Sequence, residues 1–160
     1  MVCQNTDSRT PSPVFLLLNT MNVIDELKGL LSSGSYSLVV KKNDRLFFSH
    51  ERGVKPLLSL LASEPDMLQG ARLADKVIGK AAALLMVKGG VREVFGAVVS
   101  EPALRVFQRY DILCHHGDLV ERISNRSGDG LCPMESLCLD VDDPETAFRL
   151  VSEKIKSLTT

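Results

Sequence analysis

From Met21 onward, apolar residues recur at Val23, Ile24, Leu27, Leu30 and Leu31, and Gly34 offers a stop, so the spacing predicts an amphipathic helix over 21–34. "YSLVVKK" and "RLFFS" flank Asn43-Asp44 and are rich in β-branched and aromatic residues, which predicts an antiparallel hairpin. "VKPLLSLLASEPDML" returns to a helical period with Leu57, Leu58, Leu60 and Leu61 inward and Pro65 as its end. "LADKVIGKAAALLMVKGG" is apolar on most sides and reads as one central buried helix ending at Gly89-Gly90.

"REVFGAVVS" reads as a buried strand, with Ser100 capping a following "EPALRVFQRYD" helix that has Pro102 in its first turn. "ILCHH" and "LVERIS" suggest two short strands around a Gly117-Asp118 turn. A short helix is expected from Pro133, and a last one from Asp142-Asp143-Pro144-Glu145, burying Ala147, Phe148, Val151, Ile155 and Leu158. Helices alternating with strands imply a layered α/β domain. Residues 1–20, whose first thirteen are Ser/Thr/Pro-rich, are expected to be a flexible leader, and 21–160 a single domain.

Composition narrows the function more than the fold. The chain of 160 residues is 44% hydrophobic and 24% charged, the balance of one globular domain. Nineteen basic and twenty acidic residues leave a net charge of −1, and aromatic residues are too sparse to form a stacking platform, so nucleic acid is not an expected partner. "VFLLL" is far shorter than the ~20 residues needed to span a bilayer, so no membrane association is expected. Cys3, Cys114, Cys132 and Cys138 form neither paired CxxC knuckles nor a dense disulfide framework, and reduced thiols in the cytoplasm are the simpler expectation.

Two segments carry candidate chemistry. On the helical reading of 73–90, Asp75 sits favourably at a helix N-terminus, but Lys76 opposes the dipole and Lys80 lies one turn on, so a bound anion would relieve the repulsion. The plainer alternative has both lysines reaching into solvent. The second segment is "NRSGDGLCPMES", residues 125–136. With Pro133 first in a helix, Cys132 becomes its N-cap, where the dipole favours thiolate, and Glu135 falls where a carboxylate takes orphan N–H groups. Lys76 is a candidate cation for that thiolate. Asn125, Arg126, Gly128 and Gly130 suggest an anion cradle, though without the ending of a P-loop, and an ordinary capped turn with an inert cysteine competes with this reading. Arg52 in "RGVKP" is a further anion contact or a solvent charge. His115-His116 and Cys138 are expected to be structural, and Asp142-Asp143 to cap.

The strings "RGVKPLLSLL", "GARLADKVIGKAAALLMVKGGV", "VVSEPAL" and "NRSGDGLCPMES" together resemble a small bacterial family known as a domain of unknown function, over about residues 24–158. That resemblance implies a cytidine-deaminase-like fold, a three-layer α/β/α sandwich with a central mixed sheet. Deaminases of that fold hold zinc with a His-x-Glu at one helix start and a Pro-Cys-x-x-Cys at another. "ADK" looks like the counterpart of the first and "CPME" of the second, which would make them neighbours. The ligands themselves are missing: no His at Ala74 or Asp75, no Glu at Lys76 or Val77, and Met134 and Leu137 at the cysteine positions. Asp75 and Cys132 supply only two of the three protein donors of a catalytic zinc, so no metal or other cofactor is expected.

The expected function is therefore a metal-free pocket for a small anionic or nucleotide-like molecule. In the catalytic version Cys132 is the nucleophile, Lys76 steadies negative charge, and Asp75 or Glu135 moves protons. A binding module without chemistry, and a thiol sensor or sulfur carrier, are the alternatives, and self-association is left open.

Overall fold

The computed structural model describes residues 13–159, with side chains from 23 to 158. Helix α1 (Pro13–Ser33) precedes the hairpin β1 (Leu38–Lys42) and β2 (Arg45–Ser49). Then come α2 (Lys55–Ser63), a single 3-10 turn at Pro65–Met67, β3 (Arg72–Ile78), α3 (Lys80–Gly89), β4 (Glu93–Ser100), α4 (Glu101–Arg109) and β5 (Leu113–Val120). Short α5 (Pro133–Leu137) and long α6 (Pro144–Thr159) complete the chain. Helix α1 begins at Pro13, inside the segment expected to be a leader; residues 1–12 of that segment lie outside the described residues.

The five strands form one mixed sheet in the order β2-β1-β3-β4-β5. β1 runs antiparallel to both β2 and β3, whereas β3, β4 and β5 are parallel. Side-chain alternation along the strands defines the layers. Val39 and Ala74, with Phe95 beside them, pack on Ile24, Leu27 and Leu31 of α1. Their neighbours Val40, Leu73 and Val94 join the larger core with Leu57, Leu60, Leu84, Leu85, Phe107 and Val151 from α2, α3, α4 and α6. Helices thus cover both faces, a three-layer α/β/α arrangement, and each fully buried Leu or Val contributes about 1.5–3 kcal/mol.

Local signals account for several elements. Asn43 takes φ 54° at the hairpin turn, a left-handed position that asparagine tolerates. The Ser100 hydroxyl accepts from the Ala103 N–H at 3.2 Å, capping α4 ahead of Pro102. Asp143 caps α6 through the Thr146 N–H at 2.8 Å. Within α6, Ala147 and Val151 are buried and Phe148 and Ile155 partly so, but Leu158 is 61% exposed.

Two expectations are corrected. The central helix over 73–90 is a strand followed by a helix: β3 is bonded on both sides, to β1 and β4, and the chain turns at Gly79 before α3 starts at Lys80. An apolar run buried on all sides carries no period to separate the two, and pairing on both edges decides for strand. Likewise 113–120 is one continuous strand, not two around a turn. A Cβ on Gly117 would lie 2.7 Å from the Ala97 carbonyl oxygen, so this glycine permits close approach of β4 and β5.

Candidate functional site

A cavity of about 780 Å³ opens beside the carboxyl end of β3, where ligands commonly bind in α/β sheets. Three helix N-caps border it: Val54 of α2, Gly79 of α3 and Cys132 of α5. Of the expected residues it gathers Asp75, Lys76, Cys132, Glu135, Asn125, Arg126 and Arg52, which lie far apart in the chain. Val54, Val77, Ala81, Ala82, Ile123 and Met134 supply apolar wall.

Asp75 is the most perturbed group. It lies in β3 between Leu38 and Gly96, is 8% exposed, and accepts the Val77 N–H at 3.2 Å. Burial pushes its carboxyl from 3.8 up to about 7, against the lowering effect of the Val77 and Lys76 N–H groups. Its position on a strand overturns the expectation that a helix N-terminus holds it. Lys76 is exposed, borders the cavity and lies on a strand in place of a helix, so the repulsion expected between Lys76 and Lys80 one helical turn apart does not exist.

Lys80 is corrected too. Its ammonium donates to the Leu139 carbonyl at 2.8 Å and to Asp142 Oδ1 at 3.0 Å, and it lines a different cavity. Only its backbone touches the site. Lys80 N–H donates to Glu135 Oε1 at 2.7 Å, while Glu135 Oε2 takes the Ile123 N–H at 2.7 Å and Ser100 Oγ stands 3.4 Å from Oε1. Glu135 is 1% exposed. It accepts an orphan N–H as expected, but that of α3 in place of its own helix, and with both oxygens engaged by backbone N–H groups it acts as a clasp. Gly79 lets it through: a Cβ there would stand 3.1 Å from Glu135 Oε1.

Cys132 begins α5 as expected and is partly exposed. Its sulfur makes no capping hydrogen bond, and its N–H donates to the Ile123 carbonyl at 2.9 Å. By contrast, burial pushes the thiols of Cys114 and Cys138 to about 11, and Cys138 fills the core. The anion cradle is not formed as expected. Asn125 Oδ1 accepts the N–H groups of Gly128 and Asp129 at 2.8 and 3.2 Å, so the loop folds on its own donors, and Gly128 and Gly130 stand away from the cavity wall. Gly128, at φ 76°, serves that turn.

Sequence reasoning missed His50, which borders the cavity just past β2 and lies within 3.1 Å of Ser35 Oγ, its ring 4.8 Å from that of Tyr36. Its position between a strand end and "ERG" was the available signal. His115 instead meets Glu93 at 2.7 Å, near the start of the parallel strands, where Arg72 also pairs with Glu93 at 2.8 Å.

A zinc ion of the deaminase kind does not fit these residues. Among the described residues no cluster of three His, Cys, Asp or Glu is placed to hold a metal, and the Glu135 oxygens are committed to backbone donors. No helix among the described residues is long and apolar enough to cross a membrane.

A five-stranded mixed sheet between helical layers, with a cavity at a strand end, defines a class of α/β domain and not yet a family. The chain belongs to the TM1506 family, a domain of unknown function (DUF1893), which it matches over residues 26–155. A solved DUF1893 family protein, TM1506 of Thermotoga maritima, is 28% identical, with a TM-score of 0.77 over 83% of this chain and 90% of that one. No curated protein matches.

Proposed function

We propose that the cavity beside β3 binds a small anionic, nucleotide-like molecule and that Asp75 exchanges a proton with it. The observation that carries this reading is a buried carboxyl, raised to about 7, on the wall of a ligand-sized cavity. Arg52, Lys76 and Arg126 on the same wall supply positive charge, and the N-terminus of α2, which has no side-chain cap, adds its partial charge. The apolar wall suits a flat ring.

A cytidine-deaminase-like architecture belongs to the same proposal. Its support is the layered mixed sheet and the convergence of "ADK" and "CPME" on one cavity. Against a direct correspondence, "ADK" lies on a strand, and the helix start that follows it offers Gly79 and Lys80, neither a metal donor.

A catalytic form is favoured by Cys132, which borders the cavity and whose sulfur makes no capping bond. In this form the thiol adds across a C=O or C=N bond of the ligand. Sulfur bonds to carbon, the π electrons pass to the heteroatom, and Asp75 relays the thiol proton to it. The test is a thermal-shift series with nucleosides, nucleotides and small carboxylates on wild type, Asp75→Asn and Cys132→Ala. A stabilising ligand that loses its effect in Asp75→Asn supports the site, and turnover lost in Cys132→Ala with binding retained supports catalysis. A ligand shift unchanged in Asp75→Asn contradicts the reading.

A further inference from the structure

A second cavity, of about 260 Å³, lies on the other side of Lys80 from the site above. Its wall carries four cationic side chains, Lys80, Arg105, Arg109 and Arg122, and one carboxylate, Asp142. In a chain with net charge −1 this concentration of one sign is local. We infer that this cavity binds a small phosphate dianion, free or as a terminal monoester.

Lys80 anchors the site. It is 7% exposed, and its ammonium spends two of three donors on the Leu139 carbonyl at 2.8 Å and Asp142 at 3.0 Å, leaving a third. Arg105 and Arg109 stand one turn apart on α4, a like-charge spacing that is unfavourable in a helix without an anion between the two. The nearest acid on that helix, Glu101, reaches Arg105 only at 4.0 Å. Arg122 approaches from the segment after β5, and its guanidinium donates to the neighbouring Glu121 carbonyl at 3.0 Å.

Among the described residues, Asp142 is the only negative group on this wall. It is 65% exposed, and Lys80, with Arg109 contributing, holds its carboxyl below the ordinary range. One carboxylate leaves three cations without a counter-charge in the cavity. Guanidinium forks match the tetrahedral face of a phosphate, with two parallel N–H···O bonds each, and an ammonium adds a point charge beneath. Pro102, Val106 and Leu139 form an apolar collar that limits the ligand to a small body.

The test is residue-resolved NMR titration of the full chain with inorganic phosphate and, separately, with glycerol 3-phosphate at constant chloride. Saturable shifts of the Arg105, Arg109 and Arg122 Nε–H signals are expected with at least one ligand, and the tighter of the two distinguishes free from esterified phosphate. In Arg105→Ala/Arg109→Ala, exposed positions outside the buried core, affinity read at Arg122 should fall at least about tenfold. Non-saturating shifts for both ligands, shifts confined to Arg52 and Arg126, or unchanged affinity in the double variant would overturn the inference.

Discussion

Glu135 Oε1 accepts the backbone N–H of Lys80 at 2.7 Å, across 55 residues of chain. One carboxylate thereby fastens the start of α3 to α5 and, through Ile123, to the segment that presents Cys132. The site is framed by this clasp, and its geometry depends on it.

Replacing Glu135 by Gln keeps the shape but turns one acceptor into a donor facing an N–H. The expected cost is about 1–3 kcal/mol in urea denaturation, from a buried N–H left unpaired. Unchanged stability would mean that the carboxylate is free for chemistry.

Gly117 gives a local test of the sheet. As a turn residue it would tolerate alanine, but a Cβ there would stand 2.7 Å from the Ala97 carbonyl, so Gly117→Ala should lose about 1–3 kcal/mol in the same measurement.

Asp75 makes stability depend on pH with a defined sign. The folded chain holds a proton that the unfolded chain releases, because the carboxyl moves from 3.8 to about 7 on folding. Stability from this group therefore falls as pH rises between those values and levels off above the upper one, a change on the order of a few kcal/mol. Asp75→Asn should flatten the fall, so that the variant gains on wild type from about pH 5 to about pH 8 in paired urea melts. A constant difference would contradict the burial effect.

The cysteines should separate by reactivity. With the Cys114 and Cys138 thiols at about 11, few thiolates form near neutrality, whereas Cys132 borders an open cavity. Brief alkylation of native protein at about pH 8, read by peptide mapping, should label Cys132 ahead of the other two. Equal labelling of all three would remove the case for Cys132.

The parts legible in the sequence are those with local causes. Asn43-Asp44 between β-branched runs marks the hairpin, Ser100 before Glu-Pro marks a cap, and Cys132-Pro133 marks the start of α5. Residues 72–89 were not legible, because a strand buried on both faces and a buried helix have the same composition, and only Gly79 separates them. The gathering of Asp75, Cys132 and Arg126 on one cavity has no signature in any local spacing. The roles of Glu135, Lys80 and His50 depend on partners that no local pattern reveals, and the "NRSGDG" loop misled because Asn125 Oδ1 takes the Gly128 and Asp129 N–H groups for its own turn.

The proposed ligand site rests on Asp75 exchanging a proton with a molecule in the cavity. Carbon-13 NMR of its side-chain carboxyl, followed from about pH 4 to about pH 9 with and without cytidine 5′-monophosphate, measures this directly. A midpoint near 7 that moves when the nucleotide binds is expected, with accompanying shifts at Cys132 and Arg126. A midpoint near 3.8, or one near 7 that the nucleotide leaves in place with the cavity signals unmoved, would contradict it.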